Sequence, residues 1–411
     1  MKKIHRKIKG FFKGKKDLAI LFVVFCSIVV FQHFFVKNRE FENKIFEGLN
    51  SRAQTELGEA SSRVAPFIDA PRTYISFKYK PDTIKAIYLN IWAASSEARL
   101  KEAIEIARTT EINAFVIDVK DSSGFVFYDT DAAEIKKYNA QNPLILNIKE
   151  ILEKLHKEKI YTIARIAVFQ DPILARARND LAIHKKSQKS SLWLDNLGLA
   201  WMDPSAREVW DYDIAIARDA LSQGFDEVNF DYVRFPADGN LANMDFPFWD
   251  GKTEKHLILR EFFKYLRENL KDATISADLF GLTTVNLDDM GMGQIIEDAF
   301  GYFDYICPMV YPSHYFLEIF GYSNPAQYPY EVIKNSLDSA VLRQIEFAKS
   351  NKKTAKLRPW LQDFNLLGVP YGKKEIRAEI QAVYDVMGRD FCGFMLWNPG
   401  SSYTRGALQP E

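Results

Sequence analysis

Residues 224–239 read GFDEVNFDYVRFPADG, and this stretch decides the fold. Alternation of apolar and polar residues is typical of a β-strand, because successive side chains point to opposite faces. Val228 and Phe230 share one face here, whereas Asn229 and Asp231 share the other. The apolar face suits packing under helices. The stretch therefore predicts a buried strand whose polar face ends on an acid.

Similar runs recur along the chain, and amphipathic helical patterns separate them. Strands are predicted at residues 84–90, 114–118, 161–169, 227–235, 274–280, 305–311, 356–363 and 393–397. Strands that alternate with helices indicate parallel pairing through right-handed crossovers. Eight such units predict an α/β protein with a (β/α)8 TIM barrel. A doubly wound open sheet competes, but the first strand is followed by NIWAA instead of a Gly-rich turn.

Charge is unevenly distributed along the 411 residues, although the formal net charge is zero. The first sixteen residues hold eight Lys or Arg and no acid, so the remaining 46 basic residues face 54 acidic ones, a balance of −8. An acidic body argues against nucleic acid as a partner. Residues 18–36 carry no formal charge, and at ~1.5 Å per residue they nearly span a ~30 Å hydrocarbon core.

The basic cluster before this apolar segment predicts a single-pass membrane protein with a cytoplasmic N-terminus and an extracytoplasmic body. We expect a basic tail at 1–17, a transmembrane signal anchor at 18–36, a stalk at 37–80 and the barrel domain at 81–405. A cleaved signal peptide is the alternative. It is disfavoured because residues 31–40, FQHFFVKNRE, are bulky and charged and offer no small-residue cleavage site.

Polar side chains gather at the predicted strand ends, where TIM barrels place their sites. The two-residue period puts Asp231 in the barrel mouth, Ser276 beside Asp278, and Asp118 beside Lys120. Several carboxylates converging near basic side chains form a site pattern. The candidate site residues are Asp118, Lys120, Arg165, Asp231, Arg234, Asp278, Tyr311, Trp360, Asp363 and Trp397.

Each candidate also has a structural interpretation. Asp231 could form a core ion pair with Arg165, and Arg234 lies beyond its strand and could only brace a loop. Alternation along the seventh strand would put Asp363 on the opposite face from Trp360, unless the strand ends before Asp363. Charged groups are rarely buried unless they are paired or functional, so both interpretations stay open.

Two carboxyl groups in unequal environments suit glycoside hydrolysis. One serves as nucleophile or base, and the other, with a raised pKa, protonates the leaving oxygen. Aromatic platforms for sugars are expected from the tryptophans near strand ends and in the loop after the third strand: Trp92, Trp193, Trp201, Trp360 and Trp397. The histidines are scattered and show no HxH or HExxH spacing, so no metal or other cofactor is expected.

Several motifs together resemble the bacterial glycoside hydrolase barrel family of the TIM-barrel glycosidase clan, which is distantly similar to α-amylases. The matching runs are FVIDVKDSSG (115–124), ARIAVFQDP (164–172), WMDPSAREVWDY (201–212), GFDEVNFDYVRFPADG (224–239), SADLFG (276–281), DYICPMVYPSHY (304–315), RPWLQDF (358–364) and GFMLWNPGSSYT (393–404). The resemblance covers residues 82–405. It implies a glycosidase acting through carboxyl groups.

Roles follow from the resemblance residue by residue. Asp231 matches the nucleophile at the end of strand four, and Asp278 stands where amylase-like barrels carry a Glu acid/base. Asp363 would correspond to the acid that stabilises the transition state after strand seven. Chitinase-type catalysis is disfavoured, because Val233 stands where that family needs its acid.

The leading hypothesis is an exported, membrane-tethered glycoside hydrolase that acts on a polysaccharide or glycoconjugate. Its expected partners are the carbohydrate substrate and the membrane. The alternative is a barrel that binds carbohydrate or organises the cell envelope without catalysis, because a fold does not establish a reaction. A carbon–oxygen lyase or a transglycosidase using the same acids is a third possibility.

Overall fold

The computed structural model describes residues 80–351, 353–366 and 368–410. The predicted basic tail, the membrane anchor and all but the last residue of the predicted stalk lie outside these ranges. Within the described ranges, no helix combines the length and the apolar character needed to cross a bilayer. The domain boundaries proposed before residue 80 therefore stay predictions.

Eight parallel strands close into a barrel, which confirms the predicted fold class of the body. They are β1 (Ile84–Leu89), β2 (Ala114–Lys120), β3 (Tyr161–Ala167), β4 (Glu227–Asp231), β5 (Thr274–Phe280), β6 (Tyr305–Met309), β7 in two pieces (Lys356–Leu357 and Trp360–Gln362) and β8 (Gly393–Trp397). Each strand pairs with the next, and β8 pairs with β1. This closure excludes the open sheet.

Helices connect the strands and cover the outside of the barrel. They are α1 (Ile91–Ser95), α2 (Glu97–Thr109), α3 (Ala133–Lys137), α4 (Ile148–Lys157), α5 (Pro172–Ala177), α6 (Arg207–Gln223), α7 (Lys255–Asn269), α8 (Ile296–Phe300), α9 (Pro329–Ser350) and α10 (Lys373–Met387). Caps begin several of them: the Ser96 hydroxyl accepts from the backbone N–H of Arg99 ahead of α2. Asp171 caps α5, with Pro172 as its first residue.

Five short strands lie in the connections: the first two extend the barrel sheet beyond β2, and the other three form a second sheet. Val126–Tyr128 pairs antiparallel with β2 and parallel with Gln141–Ile145. His184–Lys185 pairs antiparallel with both Gln188–Leu192 and Met244–Asp245. The second sheet joins the loop after β3 to the loop after β4. It therefore ties together two loops at the end of the barrel where the predicted site lies.

Apolar side chains form two separate cores, as the strand periodicity requires. Val228 and Phe230 belong to the larger core between strands and helices, whereas Val116 and Ile163 belong to the smaller core inside the barrel. Burying apolar surface on both faces of the strands is what holds parallel sheets together.

A buried ion pair crosses the interior below the predicted site. The Arg358 guanidinium of β7 binds the Glu227 carboxylate of β4, and both side chains are fully buried. Ser276 donates to the same carboxylate at 2.6 Å, and the Tyr305 ring lies 4.2 Å from the guanidinium carbon. Charges this deep need such partners, since an unpaired one costs several kcal/mol. The pair joins two strands that are not neighbours.

Gly393 allows β8 to meet β1. Its φ is +123°, and a Cβ placed on it would lie 1.8 Å from the Ile84 carbonyl oxygen. No side chain fits there without separating the two backbones that close the barrel. Closure of the cylinder thus depends on this position.

We expect Gly393→Ala to destabilise the protein by at least about 3 kcal/mol, because backbone must move to relieve the clash. Gly251→Ala is the matched control: its φ is also positive, at +70°, but a Cβ there meets nothing within 4 Å. The control should cost only the left-handed backbone strain, about 1–2 kcal/mol. Thermal unfolding of both variants measures the difference. Equal losses would show that closure tolerates a side chain at residue 393.

Candidate active site

Arg165 on β3 lies at the centre of the barrel mouth and contacts three acids from three other strands. Its Nη1 is 2.5 Å from Asp118 Oδ1, and its Nη2 is 2.5 Å from Asp231 Oδ2. Its Nε is 3.8 Å from Asp278 Oδ2. All four side chains are at least nine-tenths buried. The predicted convergence of acids from several strands is therefore present, around one shared guanidinium.

Asp231 is the last residue of β4 and is the most exposed of the three acids, at 7%. The chain turns sharply after it, since Tyr232 has a left-handed φ of +54°. This turn points the Tyr232 backbone N–H at Asp231 Oδ1, 2.6 Å away. Left-handed backbone at a bulky residue costs about 1–3 kcal/mol and clusters at functional sites. The strain fixes the direction in which Asp231 points.

Asp278 on β5 has a different environment. Its Oδ1 accepts hydrogen bonds from Asn229 Nδ2 at 2.9 Å and from Trp360 Nε1 at 2.7 Å. Burial, reinforced by the charge of Asp231, raises the pKa of Asp278 to about 8, although Arg165 opposes the rise. At neutral pH Asp278 is therefore mostly protonated. Only 1% of it is exposed.

Tyr88 and Trp397 form a wall of the mouth beside Asp118. The Tyr88 hydroxyl donates to Asp118 Oδ2, and its ring stacks on Trp397 with centroids 4.0 Å apart. The Arg165 guanidinium carbon lies 5.0 Å from the Trp397 ring. Burial raises the pKa of Asp118, while Arg165 and the Tyr88 hydrogen bond counteract it. Asp118 thus holds the Arg165 guanidinium on the side lined by Tyr88 and Trp397.

Asp121 is an acid of the mouth that the candidate set lacked. It follows β2, and its Oδ1 accepts from the Ser123 backbone N–H at 2.8 Å and from the Ser123 hydroxyl at 2.5 Å. It is only half-buried. Desolvation, followed by the charge of Asp118, raises its pKa to about 6. The Asp-Ser-Ser-Gly turn at 121–124 was the available signal, since such turns hold an acid at a strand end.

Lys120 does not share a face with Asp118, and this prediction was wrong. The pairing of β2 with β3 shifts by one residue between them, a β-bulge that sends Lys120 to the outer side of the barrel. There its Nζ lies 2.8 Å from both Asp171 and Asp213, fully buried under α6. Lys120 is a structural cation between strand and helix.

Asp363 also lies outside the group around Arg165. Strand β7 ends at Gln362, so the alternation stops before Asp363. Its two oxygens accept from the Thr404 backbone N–H at 2.9 Å and from the Thr404 hydroxyl at 2.8 Å. These bonds fix the segment after β8. The transition-state role implied by the family resemblance therefore finds no support in the position of this side chain.

The aromatic rim differs from the predicted set of tryptophans. Trp193, Trp201 and Trp360 are buried, while Trp92 lies on α1 with 51% of its surface exposed. Trp397 is half-buried in the mouth, as predicted. Tyr311 is also buried, and burial, followed by the charges of Asp278 and Asp231, raises the pKa of its hydroxyl.

Arg234 lies at the edge of the mouth, between the ends of β4 and β5. Its guanidinium carbon is 4.6 Å from the Trp201 ring, 5.6 Å from the Tyr232 ring and 5.1 Å from the Phe280 ring. Its Nη1 donates to the Phe235 carbonyl at 3.2 Å. Arg234 thus remains with the mouth, on the side of Asp231.

Strand ends, converging acids and aromatic walls give the arrangement that a barrel glycosidase requires. The sequence matches the family described as "Putative glycosyl hydrolase domain" over residues 86–403. The chain belongs to this family. The enzyme class predicted from the sequence, a glycoside hydrolase, is confirmed. A search of curated proteins found no match.

The chain is also similar to proteins of solved structure. A hypothetical protein from Ruminiclostridium thermocellum ATCC 27405 is 35% identical, covering 50% of this chain and 98% of that one, with a TM-score of 0.44. The glycoside hydrolase domain of PgaB (BpsB) from Bordetella bronchiseptica is 12% identical, covering 80% and 99%, with a TM-score of 0.54. At 12% identity, this second likeness establishes a shared barrel fold.

The raised pKa of Asp278 predicts a pH-dependent stability. Its pKa of about 8 in the folded chain exceeds the ordinary 3.8, so folding takes up a proton between these values. This acid therefore lowers stability as pH rises from about 4 to 8. Asp278→Asn, which mimics the protonated acid, should unfold at a higher temperature than the wild type at pH 9 and at a similar temperature at pH 4. Identical differences at both pH values would contradict the assignment.

Proposed function

We propose that the protein is an exported glycoside hydrolase, tethered to a membrane by residues 18–36, that cleaves a polysaccharide or glycoconjugate with Asp231 as nucleophile. One observation carries the proposal: Arg165 joins an ion-paired carboxylate, Asp231, to a carboxyl group with a strongly raised pKa, Asp278. Glycosidases need two carboxyl groups in unlike protonation states at one cleft.

The chemistry follows from these positions. Asp231 would attack the anomeric carbon, and its Arg165 and Tyr232 hydrogen bonds hold it in one orientation. A second carboxyl group would protonate the leaving oxygen as the glycosidic bond breaks. Asp278 is the acid predicted from the sequence, and Asp121 is a second candidate because it is protonated in part near neutral pH and is more exposed. Asp118 would keep Arg165 in place.

Asp231→Asn tests the nucleophile. It should lower turnover by about a thousandfold or more, since the amide keeps the shape of the side chain but lacks the nucleophilic carboxylate, and thermal unfolding shows whether the variant still folds. Release of reducing ends from a panel of polysaccharides measures it. Asp131→Asn is the matched control, because Asp131 is a fully exposed acid outside the mouth.

Full activity of the Asp231→Asn variant would rule out Asp231 as the nucleophile. Specific binding of a glycan without release of reducing ends, in the wild type, would instead indicate the carbohydrate-binding barrel.

Asp278→Asn and Asp121→Asn distinguish the two candidate acids. A general acid works only while protonated, so activity should fall as pH rises through its pKa. The midpoint of this loss of activity should lie near pH 8 if Asp278 donates the proton and near pH 6 if Asp121 does. Substitution of the acid that donates the proton should slow the hydrolysis of natural glycans by about 10²–10⁴-fold. It should have little effect on substrates with good leaving groups such as fluoride, which need no proton. If a substitution slows the hydrolysis of both substrate types equally, the substituted residue is not the proton donor.

The membrane proposal has a separate test. The full chain should sediment with membranes through high salt and alkaline carbonate, because a mostly apolar span of nineteen residues is held by burial and not by charge. Protease added outside intact cells should digest the barrel. Extraction by salt alone, or a protected barrel, would contradict the tethered, exported arrangement.

A further inference from the structure

Arg234 is a buried cation at the mouth with no carboxylate at ion-pair distance within the described part of the chain. It is 7% exposed. Among the described residues, its guanidinium donates a hydrogen bond to the Phe235 carbonyl oxygen. Arg165 and Arg358 are buried to a similar degree, and each binds a carboxylate directly. Buried charges in proteins are normally paired, so Arg234 is the exception that needs an explanation.

Aromatic rings cover the guanidinium but do not replace an anion. Trp201 is held rigidly by its Nε1–H bond to Asp195 at 2.9 Å, and its ring contacts Arg234 together with Tyr232 and Phe280. Rings interact with the faces of a planar guanidinium and leave its N–H groups at the edge. Desolvation lowers the pKa of Arg234, although Tyr232 and more distant acids counteract this effect. The surroundings therefore leave the cation under-compensated.

The location connects this cation with the proposed reaction centre. Tyr232 directly follows Asp231, and Phe280 ends β5, two residues beyond Asp278. The guanidinium contacts both rings and interacts electrostatically with Asp231, so it would lie near the sugar that Asp231 would attack. Its free edge matches a carboxylate, which can accept two parallel N–H bonds.

We propose that Arg234 binds an anionic substituent of the substrate, namely the carboxylate of a uronic acid residue, and so selects acidic glycans. This inference rests on the proposed glycosidase function and adds the substrate class. The anion supplies the partner that the chain lacks at this position. A neutral glycan leaves the guanidinium desolvated and unpaired, which weakens its binding.

The test compares glycans that differ only in charge. The full chain is assayed on polygalacturonate, alginate and hyaluronan, each beside its carboxyl-reduced, neutral counterpart with the same linkages. The wild type should prefer an acidic form by at least about tenfold in kcat/KM, mostly through KM, since a bidentate charged contact is worth on the order of tenfold or more. Arg234→Gln should abolish the preference, and Arg234→Lys should keep part of it.

Arg207→Gln is the matched control. Arg207 also stacks on aromatic rings, at 4.6 Å from Trp210 and 4.2 Å from Tyr265, but on the helix layer. It should leave the preference intact. Melting temperatures of all variants show whether they fold. An equal preference in Arg234→Gln and wild type, or a wild-type preference for neutral glycans, overturns the inference.

Binding separates this inference from the proposed hydrolysis. If no glycan is cleaved, affinity electrophoresis of the wild type in gels containing the same acidic and reduced glycans decides it. Retardation by the acidic form that is lost in Arg234→Gln supports the inference while the hydrolase proposal fails. Equal retardation of both proteins overturns it. Retardation by dextran sulfate and not by polyuronates, again dependent on Arg234, would assign the anion to a sulfate ester and overturn the choice of uronic acid.

Discussion

The arrangement of the mouth depends on one guanidinium shared by three carboxyl groups. Without Arg165, the acids from β2, β4 and β5 would repel each other in a buried space. With it, a single positive charge faces up to three negative ones, so the most buried acid remains protonated. Asp278 is that acid, because it is the most deeply buried of the three, although the hydrogen bonds that it accepts from Trp360 and Asn229 favour its charged form. The unequal protonation of the acids therefore results from the burial of Asp278 together with the nearby charge of Asp231, which the single guanidinium of Arg165 does not offset.

The interior of the barrel supports this arrangement from below and from the side. Glu227 and Arg358 form a buried ion pair beneath the mouth. Strand β7 is short and broken, and the buried carboxyl group of Glu379 on α10 accepts the backbone N–H of Gln362 at 2.8 Å. A side chain thus replaces part of the missing strand pairing. Rigid surroundings of this kind are what positions reacting groups precisely.

Side-chain directions were predictable from the sequence where strands are regular, and were mispredicted where strands are irregular. Simple alternation placed Asp231 and Asp278 correctly, because β4 and β5 keep their period to the end. Lys120 was misplaced because an extra residue bulges from β2, and no sequence motif marks that bulge. The direction of the Asp363 side chain could not be predicted, because the residue at which β7 ends depends on pairing with the neighbouring strands. The burial of Trp360 depends on contacts with Asp278 and Trp397, which are distant in sequence.

The ion pair between Glu227 and Arg358 has an evolutionary consequence. The two residues are 131 positions apart, and their strands do not touch, yet each is the charge partner of the other. Losing either partner alone would leave an uncompensated charge inside the cylinder, whereas replacing both by apolar side chains of similar volume can be close to neutral. Homologous sequences should therefore show these two positions covarying, either kept as a charged couple or exchanged together for hydrocarbon.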